Sequence, residues 1–255
     1  MKIIIAAEIF PPDIGGPATY SKNLAENFAA DLKDSNIGPQ PQLQPNTQGV
    51  LVLCYADNPI VAAHPQTPYK VIRIGRNQPA PIRYLRYFWA LFKSTAKGDV
   101  IYAQGTTSGG FPALLVHKIK GNRLVLRIGG DYTWEQATIF GLTSLSVDDF
   151  NLNPKITTQA MLTRVKFAIL RFVQCSVAVG ADAIVVASPY LKSIVEKWGV
   201  GQNLEKNNVD PNKIIVIPSA FSIKHSAPPP SAKWPKAENK ITILSAGRFV
   251  PWKGF

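Results

Sequence analysis

The sequence predicts an α/β protein built on a doubly wound, Rossmann-like parallel sheet. Short apolar runs rich in Ile and Val recur along the chain, the pattern of strands buried on both faces. Helical patterns fall between most of them, as in doubly wound folds. The 255 residues, 46% hydrophobic and 17% charged, suffice for a sizeable core and are unlike a disordered chain.

The first strand is read at Ile3–Ala7; this run is too short for a signal-peptide core, and Glu8 interrupts it. A helix follows from about Ala18 to Leu32, then a Pro-, Gln- and Asn-rich surface excursion over Asp34–Gly49. Further strands are expected at Val50–Tyr55, Lys70–Ile74, Val100–Ala103, Leu124–Ile128, Ala183–Ala187 and Ile214–Ile217. A helix is expected over Ile82–Lys97. Ser222–Asn239, with Pro228-Pro229-Pro230 and Pro235, reads as a linker. Lys240–Gly247 then reads as a fresh buried strand, which cannot satisfy its backbone alone. The expected organisation is one domain over 1–221, a linker over 222–239, and the start of a truncated second domain over 240–255.

No apolar run reaches the ~18 residues of a membrane-spanning helix. Cys54 and Cys175 sit in distant apolar segments and read as buried thiols in a reducing compartment. The net charge is +12, and eleven basic residues face the single acid Asp99 between Lys70 and Arg127. Such a field suits an anionic partner: lipid headgroups, phosphates or nucleic acid. No helix-turn-helix, RNP or zinc signature supports nucleic acid. The three histidines, His64, His117 and His225, lie far apart, and neither Asp-x-Asp nor G-x-S-x-G occurs. No metal or other cofactor is therefore expected.

Small-residue loops follow three of the strands. Glu8 to Tyr20 carries Pro11-Pro12 and Gly15-Gly16-Pro17, where the glycines allow close approach and Pro17 suits a first helical position. Gly105-Thr106-Thr107-Ser108-Gly109-Gly110 offers three hydroxyls. Gly129-Gly130-Asp131 places a carboxylate at a strand end, where it acts as a base or caps the next helix. In doubly wound sheets such loops share the carboxyl edge, where ligands bind. Beyond the linker, Arg248 and Lys253 on a strand-exit loop suit a diphosphate, one as a planar fork and the other as a point charge.

Several of these residues carry a resemblance. Pro11-Pro12 with Gly15-Gly16-Pro17, the Ser188-Pro189-Tyr190-Leu191 helix start, Val216-Ile217-Pro218, and Gly247-Arg248 with Pro251-Trp252-Lys253-Gly254-Phe255 together resemble glycosyltransferase family 4. The resemblance covers nearly the whole chain but only the N-terminal half of a family member. It implies the GT-B fold, two Rossmann-like domains facing across a cleft, and a retaining transfer of sugar from a nucleotide-sugar donor. The acceptor it implies is an envelope glycan or a lipid-linked molecule, bound by the N-terminal domain; Tyr20, Gln104, Thr106 and Gly130, in or beside the strand-exit loops, are the candidate acceptor-binding residues. It assigns Gly15, Gly16, Arg248 and Lys253 to the donor diphosphate; Asp131, read from its place at the strand end, is the candidate catalytic residue. It implies a nucleotide-sugar used as substrate, with no metal. The chain departs from the family pattern at Gln104 and at Gly130-Asp131, where histidines are usual, and at Ser219-Ala220 in place of Asn-Gly. The acidic E-x7-E motif of the donor domain is absent, so this chain alone is expected to be inactive.

Within Ile82–Lys97, Ile82, Leu85, Phe88, Trp89, Phe92 and Ala96 form an apolar stripe. Arg83, Arg86, Lys93 and Lys97 form a basic one. This suits either a sheet-packing helix with a solvated basic face or contact with an anionic membrane. The expected location is cytoplasmic, on the inner face of the membrane if these four residues touch lipid. A non-catalytic module that binds glycan or anionic lipid is the alternative reading.

Overall fold

A computed structural model describes residues 1–34, 49–57, 67–199 and 208–219. The strands are β1 (Ile3–Ala6), β2 (Val50–Ala56), β3 (Lys70–Gly75), β4 (Val100–Gln104), β5 (Arg123–Ile128), β6 (Ala183–Val186) and β7 (Ile214–Val216). The main helices are α1 (Gly16–Asp34), α2 (Ala80–Ser94), α3 (Gly110–Lys120), α4 (Tyr132–Ile139), α5 (Val147–Leu152), α6 (Met161–Gly180) and α7 (Pro189–Val195). All seven strands pair in parallel, in the order β3-β2-β1-β4-β5-β6-β7. The fold is the doubly wound α/β class expected from the sequence.

The topology explains where the helices lie. Crossovers between parallel strands are right-handed, so the direction of each step decides which face its helix covers. The step from β1 to β2 puts α1 on one face, packed through Ala25 and Ala29 on Ile5, Val52 and Cys54. The steps from β3 to β4, β4 to β5, β5 to β6 and β6 to β7 run the other way. They bring α2, α3, α6 and α7 onto the opposite face, over Ile4, Leu53, Ile101, Leu126 and Ile184. The direction reverses between β1 and β4, and the chain ends of these two strands diverge there into a crevice at the carboxyl edge.

The helix expected at 82–97 begins at Ala80 and stops at Ser94. Asp99 ends it by accepting from the backbone of Ala96 at 2.9 Å, so Lys97 lies beyond the helix. Its packing face is also rotated from the expected stripe. Tyr87 and Leu91 are buried, whereas Ile82, Leu85 and Trp89 are exposed. Tyr87 sets this rotation: its hydroxyl lies 3.1 Å from the Ala7 carbonyl and 3.0 Å from that of Leu53.

Helix α6 reaches past the sheet. Only its last turns, with Cys175, Val177 and Ala178, pack on the strands. Its first half overhangs the carboxyl edge and packs with α4 and α5 around Ala137, Phe150 and Phe167. A cleft of about 440 Å³ opens in this overhang, lined by Phe150, Ile156, Phe167 and Arg171 among others. The expected linker, the strand at 240–247, and Arg248 and Lys253 lie outside the described residues.

Candidate functional site

The crevice at the carboxyl edge is assembled from the loops after β1, β4 and β5. Close backbone contact fixes the first two together: a Cβ on Gly109 would lie 2.6 Å from the Ala6 carbonyl oxygen. A Cβ on Gly110 would lie 2.4 Å from that of Gly105. Only glycine lets the start of α3 sit this close to the strand ends. Gly105 adopts φ +80°, which turns the chain sharply as β4 ends. The Ser108 hydroxyl donates to the Glu8 carboxylate at 3.0 Å, and the Tyr55 hydroxyl donates to the Ser108 carbonyl at 3.0 Å. Glu8 is exposed, so the crevice carries an accessible carboxylate.

The β1–α1 loop is held from the side by β3. Arg73 donates to the Pro11 carbonyl at 2.6 Å, and Arg76 pairs with Asp13 and, at 3.4 Å, with Asp57. Within this loop Gly15 has φ +157°, and Gly16 opens α1 with free space where a Cβ would be. These contacts also account for part of the basic field. Lys120 caps the C-terminal carbonyls of α2 at Phe92 and Thr95, and Arg83 lies over the rings of Tyr55 and Tyr84 at 5.6 and 5.8 Å.

Two groups of side chains flank the crevice. On the α1 face, the Tyr20 and Tyr102 hydroxyls share a hydrogen bond of 3.0 Å. The Arg127 guanidinium stacks 3.8 Å from the Tyr20 ring centroid and donates to the Ser219 hydroxyl at 2.7 Å. Burial, then the bond to Tyr20, raises the Tyr102 pKa, so this phenol is neutral. Gln104 is opposite Arg127 in the β4–β5 register and follows Tyr102 by two residues, so it projects to the same face. It is 6% exposed, and both amide atoms are buried without a hydrogen-bond partner among the described residues.

On the other side, Tyr132 lies beside Thr107. Burial, and after it the Glu8 charge, pushes the Tyr132 phenol up to about 12, so it too is a neutral hydroxyl at physiological pH. Thr106, within the β4–α3 loop, is buried. Gly130 is half-buried, and a Cβ there would meet the Glu135 carboxylate at 2.4 Å.

Asp131 takes the capping role. Its carboxylate caps α4 by accepting from the Trp134 amide at 2.9 Å. It also accepts from Asn151 at 3.0 Å, Gln174 at 3.0 Å and Arg171 at 2.8 Å. Asn151 is tied in turn to Arg171 and to the buried Trp198 indole, each at 2.8 Å. Four donors fill this carboxylate, so it is a structural hub and not an open base.

The structure therefore brings Glu8, Gly105, Thr107, Ser108 and Tyr132 together at one edge, with Gln104, Tyr20 and Arg127 on the adjoining α1 face. Asp131 is withdrawn below them. Glu8, Tyr55, Tyr132 and Arg127 were not singled out as site residues from sequence, and Ser108 was read only as one of three loop hydroxyls. Their sequence signal is position, at or shortly after the end of a strand, and for Glu8 also a charge that interrupts an apolar run. Among the described residues, no group of three or more His, Cys, Asp or Glu is arranged to hold a metal ion. No protein-family model matches this chain, and no curated protein matches it.

Proposed function

We propose that this domain is the acceptor-binding wall of a glycosyltransferase, which moves a sugar from a nucleotide-sugar donor to a glycan or lipid-linked acceptor. The observation that carries the reading is the Gln104 amide. A buried amide without partners costs about 1–3 kcal/mol, so it calls for an ordered water, a strained fit or a ligand, and this reading assigns it a ligand that enters as the loop over it shifts. One donor group and one acceptor oxygen side by side match a sugar hydroxyl, which both gives and takes a proton. The neighbouring neutral hydroxyls and the Tyr20 and Tyr132 rings suit a polyhydroxylated, uncharged ligand with apolar ring faces.

In this reading Glu8 supplies the carboxylate that Asp131 does not. It is exposed, it lies at the end of β1, and Ser108 orients it through the 3.0 Å hydrogen bond. It would accept the proton of the acceptor hydroxyl as that oxygen bonds the anomeric carbon of the donor sugar and the bond from that carbon to the diphosphate breaks, releasing the nucleoside diphosphate. Gly16, where a Cβ would meet nothing within 4 Å, leaves room for the donor phosphates beside the start of α1, and Gly15 precedes it in the same loop. Arg248 and Lys253 would complete the diphosphate site from the donor side.

The binding-module alternative is favoured by one observation, the complete occupation of Asp131 by structural donors. Incubating the chain, extended through a nucleotide-sugar-binding domain, with radiolabelled UDP-glucose, UDP-galactose, UDP-N-acetylglucosamine or GDP-mannose and an envelope extract separates the two. Label incorporated by the parent and reduced by about 10²-fold or more in Glu8→Gln supports transfer. Saccharide binding that depends on Gln104, with no incorporation from any donor, supports the module.

A further inference from the structure

The overhang of α6 encloses a cleft that the saccharide crevice does not use. Arg164, Phe167, Ala168, Arg171 and Phe172 follow helical spacings of three and four, so one face of α6 borders this space of about 440 Å³. Phe150 of α5 and Ile156, between α5 and α6, add apolar walls. Glu8, Gln104, Ser108 and Tyr132 do not line it. The cleft is therefore a separate site.

Polar groups at the sheet end of the cleft are already satisfied. Phe150 and Phe167 are buried. Thr133 also lines the cleft, but its hydroxyl donates to Gln174 at 2.9 Å. Arg171 gives its two terminal nitrogens to Asp131 and Asn151, each at 2.8 Å, and the Asp131 carboxylate balances its charge. Arg164 is the opposite case. Its Nε donates to the Thr158 carbonyl at 2.9 Å, which holds the guanidinium in place, and no carboxylate pairs with it among the described residues. It lies two turns before Arg171, about 10 Å away along the helix axis and in the overhanging half. From Phe150 to Ala181, the stretch that supplies most of the lining, the sequence has no Asp or Glu. The cleft thus combines apolar walls with one uncompensated positive charge towards its outer end.

We propose that this cleft binds a monocarboxylate carried on a compact apolar body. A space of this size, mostly apolar with a few fixed polar groups, is the usual form of a small-molecule site. The two terminal nitrogens of Arg164 match a carboxylate in a pair of parallel hydrogen bonds. The body lies against Phe150, Phe167 and Phe172, where further polar groups on the ligand would find no free partner. One unbalanced cation selects a single negative charge. A second copy of the chain would set the same basic stretch against itself, so charge complementarity favours the small anion. The ligand bridges α5 and α6, so binding stabilises the fold.

The site stands on its own observations, independent of sugar transfer. The test is calorimetric titration of the full chain with octanoate, 3-phenylpropionate, octanol and octylammonium, with thermal midpoints as a second readout. Saturable binding of at least one carboxylate is expected, together with a raised midpoint. Octanol should bind at least about fivefold more weakly, and octylammonium should not bind. The tighter carboxylate identifies the body as aliphatic or aromatic. Arg164→Met should weaken the carboxylate by about fivefold or more and leave octanol within about twofold. Ala168→Trp fills the cleft and should abolish binding of both. The two positions are exposed, so both variants should unfold near the parent's midpoint. Absence of saturable carboxylate binding, octylammonium binding as tight as octanoate, or parent-like carboxylate binding by either variant overturns the proposal. So does a dimer dispersed by Ala168→Trp without carboxylate binding, which would give the cleft to a second copy.

Discussion

The Arg171 guanidinium lies 2.8 Å from the Asp131 carboxylate, whose side chain is wholly withdrawn from solvent. Arg171 comes from α6 and Asp131 from the end of β5, so the pair ties the overhanging half of α6 to the sheet. Asn151 bridges the same two residues from α5. A buried charge held this way is costly to strand.

Asp131→Ala is therefore expected to destabilise the fold by about 3–5 kcal/mol, because it leaves Arg171 uncompensated and α4 uncapped. Arg171→Ala should cost a similar amount by exposing the same buried carboxylate. Urea unfolding midpoints would measure both. A stable Asp131→Ala protein that had lost only activity would return this residue to a chemical role.

Gln104→Leu should raise stability by about 1 kcal/mol, since an apolar group of similar size replaces two unpartnered buried atoms. Most core substitutions destabilise, so the sign is the informative quantity. Thermal unfolding without ligand measures it, and a clear loss of stability would mean that the amide is satisfied within the protein.

Gly109→Ala should destabilise by about 1–3 kcal/mol, because the new Cβ would lie 2.6 Å from the Ala6 carbonyl and neither backbone can yield cheaply. Gly16→Ala, where a Cβ meets nothing within 4 Å, is the matched control and should be near neutral. Equal midpoints for the two variants would remove the close-approach argument.

Burial, opposed by Arg73, pushes the Cys54 thiol from 9.0 up to about 11. Between these values the folded state keeps a proton that the unfolded state loses, so stability is full below pH 9 and falls as pH rises towards 11. Cys54→Ala should flatten that alkaline decline, although it lowers stability at neutral pH through the lost packing. Denaturation series at several pH values would show parallel profiles if Cys54 made no such contribution.

The sheet was legible because its strands are apolar on both faces, and the expected ends of Val50–Tyr55 and Lys70–Ile74 fall within one residue of β2 and β3. Helix α2 was legible as a helix but not in its rotation. Apolar residues cover most of its circumference, and Tyr87 chooses the inward side through two carbonyls that are distant in sequence. The base-or-cap ambiguity of Asp131 resolved only in three dimensions. Its partners Asn151, Arg171 and Gln174 lie 20, 40 and 43 residues downstream. Glu8 was visible only as a charge breaking an apolar run, and its link to Ser108 spans 100 residues.

The central claim is that the Gln104 amide completes its hydrogen bonds with a saccharide hydroxyl. The most direct measurement is the side-chain NH₂ resonance of Gln104 in ¹⁵N-labelled protein, assigned with Gln104→Leu. It would be followed during titration with glucose, galactose, mannose, N-acetylglucosamine and their disaccharides. A saturable shift of that resonance with at least one sugar is expected, together with loss of binding in a folded Gln104→Leu protein. An amide resonance unmoved by every sugar, or Gln104→Leu binding sugar as tightly as the parent, would contradict the account.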